Sequence, residues 1–220
     1  MNNQPATRES MNEHAPSLDL ARARYALPMG LFGGLALGAI ARLWMRGIAV
    51  DPEFTWGGTL GIMFGFALFG FAQAGVAVAR RGIRRGARPA VLTVFRVIGV
   101  IAMLPLFLAA GGPMLPTVVA GGLAFARKDW RLRTRAALVA VATIPVFAIS
   151  HSIIDDFGAS VQAVVGVIGM VAIYATIIRA TTCSFAPRPD GWKLPRWAFV
   201  TSIVAGCVSL AVPLALGGIT

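Results

Sequence analysis

The chain has 220 residues, 57% of them apolar and only 13% charged, and it carries a formal net charge of +11. A water-soluble domain is nearer a quarter charged, so this chain could not cover its own surface in water. The positive charge sits in short arginine clusters between long apolar runs, with few aromatics among them. That pattern follows membrane topology rather than nucleic-acid binding, which it excludes.

Residues 1–24 are polar, contain three acids and have nothing to build a core from, so they read as a disordered tail. The tail is too long and too acidic for the n-region of a signal peptide. The first apolar run, Tyr25 to Trp44, predicts a spanning helix with Gly30, Gly33, Gly34 and Gly38 along it. Gly34-xxx-Gly38 is a small-xxx-small pair, which lets a second backbone come close, here within the chain rather than between chains. The second run, Thr59 to Ala79, leads into Arg80–Arg88, where five arginines fall in nine residues with no acid. Such a stretch marks a cytoplasmic loop. A second basic loop, Arg127 to Arg135, sets five basic residues against Asp129.

Between these loops, Pro89 to Ala126 is apolar apart from Arg96 and is broken at Gly111-Gly112-Pro113. With both ends on one side, the stretch must enter and return. It does so as two tight spans, with Pro113 in the first turn of the second, or as a re-entrant hairpin. A fifth run, Ala136 to Ile154, contains Pro145, where a kink is expected. It ends in His151-Ser152-Ile153-Ile154-Asp155-Asp156-Phe157-Gly158, an outer turn free of Lys and Arg. Ser160 to Ile178 predicts a sixth span and Trp197 to Leu216 a seventh, joined by a basic, proline-rich loop, Arg179 to Arg196. The expected fold is an all-α, polytopic bundle of about seven transmembrane helices in one domain, residues 25–220. Six spans plus a re-entrant hairpin is the alternative. The N-terminus falls inside and the C-terminus outside.

Arginine outnumbers lysine 18 to 2 alongside heavy Ala, Gly and Val usage, which reads as the codon bias of a GC-rich bacterial genome and hence a bacterial cytoplasmic membrane. Cys183 and Cys207 lie far apart without a redox, haem or zinc spacing and read as free thiols. Phosphate-binding loops, dinucleotide fingerprints and hydrolase motifs are absent from the sequence, so no cofactor is expected and no catalytic residue can be assigned.

One stretch departs from the lipid-embedded pattern. Residues 42–56 join two apolar runs yet hold Arg42, Arg46, Asp51, Glu53, Trp44 and Trp56. On the expected topology they share the outer side with His151, Asp155 and Asp156. In the plainer interpretation the tryptophans form an interfacial belt, the arginines pair with Asp51 and Glu53, and Asp155 or Asp156 caps the sixth helix. In the functional interpretation Arg42 and Arg46, four residues apart, hold a phosphate or carboxylate group bidentately. His151 with Asp155 and Asp156 has part of a metal spacing but lacks a second histidine on that side, so no metal is expected. Arg96 lies well inside a span. It either serves a ligand pathway or reaches back toward the basic loop with its long stem.

The sequence thus leads to an integral membrane protein that binds or transports a small solute or lipid through Arg42, Arg46, Asp51 and Glu53. An accessory or structural subunit docking partners on its basic loops, in a homo- or hetero-oligomer, is the second reading. A lipid-modifying enzyme with His151 as base is the third. The basic loops are expected against anionic headgroups.

Overall fold

The computed structural model describes residues 17–50, 54–86, 88–109 and 114–189. Among these residues the chain forms helices and connecting turns: α1 (Ser17–Gly47), α2 (Trp56–Ile83), α3 (Ala90–Ala109), α4 (Met114–Ala126), α5 (Leu132–Phe157) and α6 (Val161–Phe185). Residues 23–47 of α1, together with α2, α5 and α6, give four segments long and apolar enough to cross a bilayer. The protein is a multi-pass membrane protein, all-helical among the described residues. The expected seventh span, Trp197 to Leu216, lies outside the described residues, as do Asp51, Glu53, Cys207 and the Gly111-Gly112-Pro113 break.

Several helices outrun their apolar runs. α1 starts at Ser17, well before Tyr25, and α2 absorbs Arg80 and Arg81 into its last turn. α5 continues through Pro145 and takes in His151 to Phe157, so the expected outer turn shrinks to Gly158-Ala159-Ser160. Gly158 ends that helix at φ +61°, in the left-handed region where a side chain would be strained. α6 is capped by Ser160, whose hydroxyl accepts from the Ala163 amide at 3.2 Å. The cap is therefore not Asp155 or Asp156, both of which sit in the last turn of α5.

The tightest packing is between α1 and α2. A Cβ on Gly34 would overlap the Phe66 carbonyl oxygen, one on Gly70 the Gly30 carbonyl, and one on Gly38 would lie 3.0 Å from the Phe66 Cβ. Gly33 faces away and meets nothing. The small-xxx-small stripe thus serves packing inside the chain, as its spacing suggested.

α4 is different from the others. Its 13 residues span about 20 Å at ~1.5 Å per residue, short of a hydrocarbon core of about 30 Å. Yet it is the most enclosed element, with Thr117, Val118, Leu123 and Ala124 all at 2% exposure or less. It is covered by α5 and α6. Pro116 stands in its first turn, where the missing N–H leaves nothing unpaired.

The helix ends sort into two sets. At one end, Arg80 of α2 and Arg96 of α3 both donate to the Ala186 carbonyl just past α6, at 3.1 and 3.0 Å. Arg188 bonds the Pro89 carbonyl and the Thr93 hydroxyl, and Arg135 bonds the Ala124 carbonyl. The basic stretches 80–88, 127–135 and 186–189 therefore gather at one end of the bundle. The other end collects the C-terminus of α1, the N-termini of α2 and α6, and the C-terminus of α5.

Candidate functional site

At that second end, the last three turns of α1 carry two stripes. Ala41, Trp44, Met45 and Ile48 point toward α2 and α6, while Arg42 and Arg46 run beside them, one helical turn apart. Trp44 turns inward. Its Nε1 donates to the Gly166 carbonyl of α6 at 2.7 Å, and Gln162 donates to the Gly47 carbonyl at 2.7 Å. Trp44 therefore ties two helices together and is not a belt residue. Trp56, 71% exposed at the start of α2, keeps the belt position.

Arg42 is half-buried, and its Nε donates to the Thr59 hydroxyl at 3.1 Å. That hydroxyl in turn donates to the Thr55 carbonyl at 3.0 Å, which also accepts from the Thr59 amide. Arg46 is exposed and stands over the Phe54 ring at 5.2 Å, and Phe54 meets Trp56 edge-on at 5.0 Å. Among the described residues neither guanidinium has a carboxylate partner. The terminal nitrogens of both are left to other acceptors.

Beneath these arginines lies a partly open apolar cavity of about 40 Å³, lined by Ala41, Trp44 and Met45 of α1, Ile62 and Phe66 of α2, Leu106 of α3, Met114 of α4, and Met170, Ile173 and Tyr174 of α6. Thr59, Ile62 and Phe66 share one face of α2, so the Arg42–Thr59 bond sits one turn above the cavity. Tyr174 is 8% exposed, and its hydroxyl has no hydrogen-bond partner among the described residues.

The remaining expected site residues do not join this group. His151 and Asp155 pair at 2.6 Å as an i,i+4 couple on exposed α5, their side chains 68% and 61% accessible. Asp156 is exposed beside them. Among the described residues no hydrogen bond or ion pair links them to Arg42 or Arg46, and no three of His, Cys, Asp and Glu come together. Arg96 lies at the opposite end, its NH2 on the Ala186 carbonyl, so it does reach toward the basic end and closes off the terminus of α6 there.

Compared with protein families, curated proteins and solved structures, the chain matches none. The site therefore rests on its own geometry. Thr59, Tyr174 and the methionines of the cavity carry no signal in the sequence. Each is an ordinary residue of an apolar helix until the neighbouring helices are placed.

Proposed function

We propose that the chain is a membrane protein that binds, and through that binding carries, a small anionic solute or the headgroup of a lipid on Arg42 and Arg46. One observation carries the reading: two guanidiniums a helical turn apart, at the end of an apolar helix, have donors to spare and no carboxylate among the described residues. Leaving such donors unsatisfied beside lipid is costly, and phosphate or carboxylate oxygens match them bidentately.

The topology proposed with it puts the basic end in the cytoplasm, by the excess of arginine there, and the Arg42–Trp56 stretch on the outer side of a cytoplasmic membrane. The N-terminus is then inside and the C-terminus outside. α3 and α4 enter and leave from the basic end whether or not their apex reaches the far leaflet, so this assignment does not depend on seven full crossings. The length of α4 supports the re-entrant form.

The test is lipid and solute retention by the purified protein. Arg42→Gln with Arg46→Gln should fold as the parent does and lose bound phosphate-bearing lipid. Competition with glycerol phosphate separates a lipid headgroup from a free anion. Retention equal to the parent in the double variant rules the reading out.

A further inference from the structure

We infer that the anion held at Arg42 and Arg46 is the head of an amphiphile, a phospholipid whose acyl region enters the cavity below Trp44. This rests on the arginine site proposed above and adds what the rest of the ligand is. The cavity wall is almost wholly apolar, so it suits hydrocarbon and would hold water poorly. The Ala41–Trp44–Met45 stripe of its wall belongs to the same turns of α1 as the two arginines, so a head on the guanidiniums leaves its chain at the mouth of the cavity. Three of its lining residues, Met45, Met114 and Met170, are unbranched and can re-pack around an entering chain, which a cavity of about 40 Å³ requires. Tyr174 adds one polar point to that wall. Its hydroxyl makes no hydrogen bond among the described residues and can donate to an ester oxygen on the entering chain.

Trp44, in the wall, is the natural reporter. Phosphatidylglycerol with brominated acyl chains is added at low molar ratio to the detergent-solubilised protein, and the Trp44 contribution is taken as the difference from Trp44→Phe. Phosphatidylglycerol should quench it several-fold more than brominated phosphatidylcholine does. Ala41→Leu fills the cavity and leaves the arginines in place; it should cut the quenching several-fold while the protein still retains phosphate-bearing lipid. If Ala41→Leu is quenched like the parent, the chain is not in the cavity and the inference is overturned, with the anion site left standing. If Arg42→Gln with Arg46→Gln is quenched like the parent, the anion site itself fails. Should Ala41→Leu not fold, Ala41→Val fills less of the cavity; reduced quenching there supports the inference, and parent-like quenching overturns it.

Discussion

Trp44 and Gly166 are 122 positions apart in the chain, yet the indole of one donates to the carbonyl of the other at 2.7 Å. The contact needs glycines: a Cβ on Gly169 would stand 2.6 Å from the Trp44 Cδ1, and one on Gly166 2.8 Å from a methyl of Ile48. α6 is smooth where α1 lies on it. Trp44→Phe removes the donor and shrinks the ring, and should lower stability by at least about 1 kcal/mol, the net worth of one hydrogen bond, with the lost packing added. Gly169→Ala should cost more, because the indole must move. Thermal unfolding in detergent ranks the two, and an unchanged midpoint for Gly169→Ala would contradict the packing described.

The α1–α2 interface offers a sharper contrast. Gly34→Ala drives a methyl group into the Phe66 carbonyl, whereas Gly33→Ala points into open space. The first should sharply reduce the yield of folded protein, since backbone cannot yield as a flexible side chain does. The second should match the parent. Size-exclusion profiles of the two variants check this, and equal behaviour would place the interface on another face.

At the basic end, Arg80 uses two nitrogens on two carbonyls, Ala186 at 3.1 Å and Pro187 at 2.8 Å. Lysine is a point donor and cannot hold both. Arg80→Lys should therefore loosen the Ala186–Pro187 stretch, seen as faster proteolysis after α6. Arg96 donates to the same Ala186 carbonyl at 3.0 Å, so that oxygen is shared by two guanidiniums. Parent-like protease sensitivity of Arg80→Lys would count against the forked contact.

Thr117 is 1% exposed and its hydroxyl has no hydrogen-bond partner among the described residues. Replacing it by valine, of the same shape, removes a desolvated polar group and adds a methyl. The substitution should leave stability unchanged or raise it by up to about 1 kcal/mol. A clear loss of stability would mean that the hydroxyl is used.

The spanning helices were legible because a bilayer imposes long apolar runs, and the common end of the basic stretches was legible because arginine clusters interrupt those runs. The spacing of Gly34 and Gly38 announced a close helix contact without naming its partner. What remained hidden depends on distance across the fold. Arg96 reads as a buried charge until Ala186, 90 positions later, supplies its acceptor. Trp44 looks like Trp56 in sequence, and only the glycines of α6 decide that one turns inward while the other stays at the surface. Phe157 continues α5 past the acids because no breaker stands before Gly158, so the polar stretch from His151 to Asp156, of outer-turn appearance, is helix instead.

The shortness of α4 bears on how the protein is made. A segment of 13 mostly apolar residues, two of them the glycines Gly121 and Gly122, is too short to settle across a bilayer alone when it leaves the ribosome. The surfaces that enclose it belong to α5 and α6, which are synthesised later. Insertion in strict chain order would leave α4 without a place. It can take its final position only once α6 is in, so this part of the interior closes after α6 is made rather than as α4 emerges.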